Sequence, residues 1–280
     1  MSKTKKELPS SGTISTFLKV GTCSETLFNV LDRAFEHPLK PEEHGSMPLA
    51  GGILQYGYQC GMIWGATLAA GAQAFRVHGS GPKAETAAIL AAQKVVESFR
   101  ALNGNINCLE ITDIDRSSST WQMIMFFLIK GGTLGCFRMA ARYAPIAFSE
   151  INAALNEEPI EVPSPAVSCA ALLARKIGGS DLHTVMAAGL AGGIGLCGGG
   201  CGTLGAAIWI NGVKKGLAEK PKLNFKDPII LDLIDRFLKC SDYKFECSEI
   251  VGRKFENIGD HADYLREGGC SEVIEVLAAE

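Results

Sequence analysis

The spacing of apolar side chains along the chain predicts helices and gives no sign of strands. Leu27, Leu31 and Phe35 recur every four positions and therefore fall on one face of a helix. Similar spacing, or a continuous apolar run, predicts helices at 22–35, 83–102, 119–130, 167–177, 228–239 and 271–279. No segment alternates apolar and polar residues with the period of two that is typical of a strand. We therefore expect an all-α protein, with Ser180 suited to cap a further helix near His183.

The positions of the cysteines indicate an internal duplication. Eight of the ten form two ordered sets of four, which are Cys23, Cys60, Cys108 and Cys136, and then Cys169, Cys201, Cys247 and Cys270. The intervals are 37, 48 and 28 residues in the first set and 32, 46 and 23 in the second. A glycine follows the second cysteine in both sets, and a pair of glycines precedes the fourth. Cys197 and Cys240 have no counterpart in the first half.

The duplication divides the chain into two similar helical bundles that we expect to pack together. Between the two sets of cysteines, Pro159, Pro163 and Pro165 interrupt regular structure. The predicted organisation is an N-terminal tail at 1–19, a first four-cysteine repeat at 20–155, a linker at 156–165 and a second four-cysteine repeat at 166–280.

Composition and charge exclude several classes of protein. With 47% apolar residues the chain can bury a core, and a net charge of −3 offers no electrostatic basis for binding nucleic acid. The N-terminal segment is basic, but no apolar signal region follows it, so we expect a cytoplasmic protein with reduced thiols. Two charge-free segments, 44–75 and 182–213, contain too many glycines for lipid-exposed helices, which argues against membrane insertion.

The repeated cysteines suggest a thiolate site in each half. Soft metal and cluster sites need about four such donors, which a bundle can supply from separate helix ends. The glycines next to Cys60 and Cys201 would let backbone N–H groups point at sulfur. The alternative is buried structural cysteine, because a free cysteine packs as a small apolar side chain. The spacing leaves both interpretations open and identifies no particular metal.

The segment Cys197-Gly-Gly-Gly-Cys201 suggests separate chemistry. Three glycines between two thiols would allow a local disulfide, and a helix starting at Cys201 would lower a thiol pKa. We therefore take Cys197 and Cys201 as candidate catalytic thiols, with a glycine-rich helix crossing as the alternative. None of the five histidines has an evident cysteine partner, and we expect surface or capping roles for them.

Each half resembles the C-GCAxxG-C-C family of small helical domains, which are defined by a first cysteine, a GCAxxG segment and two later cysteines. In the second half the GCAxxG segment falls on 200–205, with Gly202 in place of alanine. In the first half Gln59 replaces the first glycine of the segment and Trp64 replaces the last. These departures leave open whether the first half has altered or lost its site.

The resemblance implies redox chemistry at the conserved positions of the family pattern. It implies an iron–sulfur cluster of the [2Fe–2S] type, at most one per repeat. The implied ligands are Cys169, Cys201, Cys247 and Cys270, and, at the pseudo-equivalent site, Cys23, Cys60, Cys108 and Cys136. The expected role is electron transfer to a partner oxidoreductase, and a homodimer is compatible with the low charge of the chain.

Three alternatives remain open from the sequence. The protein could be a metal-free thiol–disulfide protein, or a structural or scaffold protein with zinc or buried thiols. It could also bind a small organic ligand between its two repeats.

Overall fold

The computed structural model describes residues 10–119, 121–122, 125–126, 132–157, 168–218 and 223–279, and these residues form an all-helical protein. The first repeat contains α1 (Ser10–Val20), α2 (Cys23–Ala34), α3 (Lys40–Gly45), α4 (Gly61–His78), α5 (Pro82–Asn103), α6 (Cys108–Thr112) and α7 (Gly132–Asn156). The second contains α8 (Cys169–Lys176), α9 (Asp181–Ala188), α10 (Gly202–Ala218), α11 (Pro228–Cys240), α12 (Cys247–Val251), α13 (Ile258–Arg266) and α14 (Ser271–Ala278). The described part has no strand, only two isolated backbone bridges.

Most of the predicted helices are confirmed, as α2, α5, α8, α11 and α14. Ser180 caps α9 as expected, by accepting the backbone N–H of His183 at 3.2 Å. The predicted helix at 119–130 and the predicted linker at 156–165 lie largely outside the described residues. Residues 10–19, which we expected in a tail, instead form α1, and this helix packs against α2 and α7.

Cys60 and Cys201 are the cysteines of the two GCAxxG segments, and we call them the motif cysteines. The helix that follows each motif cysteine lies at the centre of its repeat. α4 is buried from residue 61 to 72 and packs against α2 and α5, and α10 packs against α8. Both helices begin inside the charge-free segments of the sequence, so they can be surrounded by protein on all sides. Within the part of the chain that the structure describes, no helix is long and apolar enough to cross a membrane.

The two repeats share a continuous core because glycines let their helices approach closely. α9 packs on α4, and α3 packs on α10. A Cβ atom at Gly71 would lie 2.5 Å from Cα of Met186, and one at Gly45 would lie 2.5 Å from Cγ2 of Val213. A larger residue at either position would therefore push the repeats apart.

We call the GCAxxG segments at 59–64 and 200–205 the first and the second motif. The first motif departs from the family pattern at two positions, and both contact the second motif. Trp64 and Gly205 are equivalent positions 141 residues apart, as are Gln59 and Gly200. Trp64 is fully buried, and its ring occupies the space that a Cβ atom at Gly205 would need, at 2.2 Å. Gln59 Oε1 accepts the backbone N–H of Gly200 at 2.7 Å. The departures are therefore explained by the contact between the repeats.

Replacing Gly205 with alanine should destabilise the protein. The new methyl group overlaps the ring of Trp64, and we expect a loss of about 1–3 kcal/mol in the free energy of unfolding, measured by urea denaturation. Gly135→Ala is the matched control, because a Cβ atom at this position in α7 meets nothing within 4 Å. An unchanged urea midpoint for Gly205→Ala would contradict the close packing described here.

Candidate functional site

A left-handed turn precedes the motif cysteine in each repeat. Residues 51–55 all have positive φ angles, between 44° and 68°, and residues 192–196 repeat this with angles between 58° and 77°. Such backbone costs about 1–2 kcal/mol for each residue other than glycine. Ile53 and Ile194 adopt it because their side chains are fully buried, which contributes about 1.5–3 kcal/mol each. The turn brings the chain to the motif cysteine directly before α4 or α10.

Backbone hydrogen bonds hold the second and third cysteines of each repeat side by side. The N–H of Cys60 donates to the carbonyl two residues before Cys108 at 2.8 Å, and the N–H of Cys108 donates to the carbonyl two residues before Cys60 at 2.7 Å. Cys201 and Cys247 make the same reciprocal pair, at 3.1 and 2.7 Å. Residues that are distant in the sequence are thus fixed as neighbours in both repeats.

The four cysteines of the first repeat line one cavity of about 320 Å³. They come from four separate elements, since Cys23 begins α2, Cys60 precedes α4, Cys108 begins α6 and Cys136 lies near the start of α7. The described residues around the cavity are mostly apolar, and none of them is charged or a histidine. The first motif, despite its departures, therefore retains a complete set of four convergent thiols.

Backbone N–H groups point at sulfur in both repeats. The sulfur of Cys23 receives the N–H groups of Gly51 and Gly61, and a Cβ atom at Gly61 would lie only 2.6 Å from that sulfur. The sulfur of Cys169 receives the N–H of Gly192, which is the residue equivalent to Gly51. The glycine after Cys60 thus has the role that the sequence predicted, because it leaves room for sulfur and donates to it.

Burial keeps the thiols of the first site protonated. Desolvation raises the pKa of Cys23 and of Cys60, and it raises the pKa values of Cys108 and Cys136 to about 12. The neighbouring sulfurs raise the pKa values of Cys60, Cys108 and Cys136 further, because one thiolate disfavours another nearby. A bound cation would reverse this balance and favour the thiolates.

Three of the four cysteines of the second repeat lie in or against an apolar cluster that is separate from the main core, and Cys201 lies in the main core. Cys169 and Cys247 belong to this cluster, and Cys270 packs against it. A negative charge on Cys201 raises the pKa values of Cys247 and Cys270, so Cys201 lies near both. The thiol of Cys270 hydrogen-bonds to the sulfur of Cys169. All four cysteines of the second set are therefore close together.

His261 lies beside this cysteine pair and is fully buried. Its ring packs edge-on against Phe255, with centroids 4.7 Å apart, and neither ring nitrogen has a hydrogen-bond partner. Phe255 and Cys169 belong to the same apolar cluster, and the nearby imidazole lowers the pKa of the Cys169 thiol. Our expectation of a surface or capping role is therefore wrong for this histidine. Its place on the buried face of α13, between Ile258 and Leu265, was the signal in the sequence.

The pKa values distinguish Cys169 from the other thiols of the second site. Hydrogen bonding from Cys270, and then from His261, lowers the pKa of Cys169 well below its usual value. The pKa of Cys270 is raised, because its thiol donates the hydrogen bond to Cys169 and because it is buried. Burial raises the pKa of Cys201 to about 11 and also raises that of Cys247.

The two unmatched cysteines do not line the first cavity. Cys197 lines a polar cavity of about 220 Å³ together with Arg100 and Lys254, and burial raises its pKa to about 11. Cys240 ends α11, where its thiol donates to the carbonyl of Phe237 at 3.3 Å. Neither Cys197 nor Cys201 has a lowered pKa, and their catalytic role remains a prediction.

Among the described residues, no three histidine, cysteine, aspartate or glutamate side chains are placed to hold one ion. A structural zinc ion needs four donors around one point. An iron–sulfur cluster differs, because its cysteines surround a core of several atoms, and four thiols around a void are a donor set of that kind.

The fold and the two four-cysteine groups define a duplicated, all-helical, cysteine-rich protein. A family model described as "Putative redox-active protein (C_GCAxxG_C_C)" matches residues 22–146 and 164–279, and the chain belongs to this family. The two matched segments correspond to the two repeats. No curated protein and no solved structure matches the chain.

One thiol of the reduced, metal-free protein should ionise below the ordinary value of 9.0. The ultraviolet absorbance of thiolate, followed against pH, should show this early step, and Cys169→Ser should abolish it. Cys270→Ala should move the step to higher pH because Cys169 loses its hydrogen-bond donor. Cys240→Ser is the matched control and should leave the step in place.

The same thiolate should make stability depend on pH. Between the lowered pKa of Cys169 and 9.0, the unfolded chain binds a proton that the folded chain has lost, so stability should rise with pH. The contribution is lost as the pH falls through the lowered pKa. Urea denaturation should show a smaller rise for Cys169→Ser, and an identical pH profile would contradict the assignment.

Proposed function

We propose that the protein transfers electrons through one four-cysteine redox centre in each repeat. The observation that carries the proposal is the convergence of four thiols, from four separate elements, around the cavity of the first repeat. Sulfur supports electron transfer either as a ligand of iron or by forming disulfides. The redox-active description of the family favours such chemistry over structural thiols.

A [2Fe–2S] cluster is the cofactor that we propose for these centres. Its ligands would be Cys23, Cys60, Cys108 and Cys136 in the first repeat, and Cys169, Cys201, Cys247 and Cys270 in the second. The cluster, when bound, supplies one-electron chemistry. The chain buries the ligands in apolar surroundings. It also directs backbone N–H groups at sulfur, and these donors stabilise the added negative charge of a reduced centre.

The electron partner would be an oxidoreductase that docks near the first cavity. Leu18 and Phe225 both line this cavity and remain exposed over 67% and 41% of their surface. An apolar edge of this kind allows a partner to exclude water and approach the buried sulfurs closely.

Protein purified without oxygen should contain iron and acid-labile sulfide and should absorb visible light. Cys136→Ser should remove the centre of the first repeat and lower the iron content by about half, because each repeat holds one of two similar centres. Cys240→Ser, which changes a cysteine outside both groups, should leave the iron content unchanged. Iron-free protein with ten free thiols would contradict the cluster.

A second candidate function, metal-free thiol–disulfide exchange, is favoured by one specific observation. Cys270 hydrogen-bonds to Cys169, and the pKa of Cys169 is lowered. A thiolate beside a second thiol is the arrangement that reacts with an external disulfide. Cys169 would attack one sulfur of the oxidant, which forms a mixed disulfide and releases the first reduced thiol. Cys270 would then attack the sulfur of Cys169, which closes the Cys169–Cys270 disulfide and releases the second reduced thiol.

This second function predicts a particular disulfide. After treatment with oxidised glutathione, mass spectrometry should find Cys169 joined to Cys270, with two molecules of reduced glutathione released per disulfide formed. Cys270→Ser should stop at a mixed disulfide on Cys169, whereas Cys240→Ser should behave like the unmodified protein. The absence of both products would exclude exchange at this pair.

A further inference from the structure

The two centres differ in one respect that the cysteine pattern does not show. The described lining of the first cavity includes neither a charged residue nor a histidine. The second site holds His261, whose side chain has no exposed surface. The duplication has therefore kept the thiols and changed what surrounds them.

The position of His261 is unfavourable unless the imidazole serves the site. A buried polar group without a partner costs free energy, and neither ring nitrogen has a hydrogen-bond partner. The ring packs against Phe255, which lies in the same apolar cluster as Cys169, and the imidazole is near enough to that sulfur to lower the pKa of the thiol. Since no other group fixes the tautomer, the ring can place its proton on the nitrogen that faces sulfur.

We propose that His261 is a positioning residue that sets the redox potential of the second centre above that of the first. This inference rests on the proposed function. An N–H directed at sulfur stabilises the reduced, more negative form of a centre, and the surrounding apolar cluster strengthens the interaction. The direction is the same for a cluster and for a dithiol, because both become more oxidising when the reduced form is stabilised.

The inequivalence gives the molecule a direction for electron flow. An electron that enters the first centre passes to the second, so the first centre is oxidised and the second is reduced. The route is short in bonds, because Gln59 precedes Cys60 and its Oε1 accepts the N–H of Gly200, which precedes Cys201. The contact that joins the repeats thus also joins their centres.

The test compares full-length proteins that each retain one centre. Cys270→Ser leaves the first centre and Cys136→Ser leaves the second, and redox titration followed by absorbance and electron paramagnetic resonance measures each potential. We expect the second centre to be the more oxidising. If the protein holds dithiols, the same comparison is made by equilibration with glutathione buffers.

Substitution of the histidine then isolates its contribution. In the protein with only the second centre, His261→Leu should shift the equilibrium at least about tenfold toward the oxidised form, since a hydrogen bond to a charged group is lost. His261→Gln keeps an N–H donor and should restore most of the shift, and it remains informative if the leucine variant fails to fold. His78→Leu, which changes a histidine at the end of α4, is the control.

Two results would overturn the inference in distinguishable ways. Equal potentials for the two centres, with no effect of His261→Leu or of His261→Gln, would exclude the role of the histidine and leave the proposed function standing. A protein with no titratable centre in any variant would exclude the proposed function, and the inference with it.

Discussion

The reciprocal backbone hydrogen bonds between the second and third cysteines are the constraint on which both sites depend. They join Cys60 to the segment of Cys108, and Cys201 to that of Cys247, at 2.7–3.1 Å. The left-handed turn before each motif cysteine makes this pairing possible, because it reverses the direction of the chain. The motif cysteine then lies beside the segment that contains the third cysteine of the repeat. Two buried aliphatic side chains per turn, Ile53 with Leu54 and Ile194 with Leu196, offset strain of similar size. Backbone hydrogen bonds thus fix two of the four cysteines in each repeat, and side-chain packing positions the other two.

The interface between the repeats shows how duplication relaxed the symmetry of the motifs. Two identical motifs in contact would place glycine against glycine and leave space between them. Here Trp64 fills the space at Gly205, and Gln59 satisfies the N–H of Gly200. The first motif therefore lost its family signature at the interface while it kept its four thiols. His261 of the second site is a further asymmetry between the repeats, and it lies beside the cysteines of that site.

The sequence predicted the helical class and the two sets of cysteines because both follow from spacing. Apolar periodicity identified α2, α5 and α11, and the cysteine intervals identified the duplication. It did not predict α1, since a tail and a short helix of mixed polarity look alike without their packing partners. Nor did it predict the left-handed turns, because Ile53 and Ile194 are poor candidates for positive φ, or the contact of His261 with Cys169, which depends on the packing of α13.

The central claim is that the four cysteines of each repeat form one redox centre. Its most direct test is a crystal structure of the anaerobically purified protein, with anomalous scattering recorded at the iron edge. We predict two iron-containing peaks, one bonded by Cys23, Cys60, Cys108 and Cys136 and the other by Cys169, Cys201, Cys247 and Cys270. Cavities without iron, or iron bound elsewhere in the chain, would contradict the account.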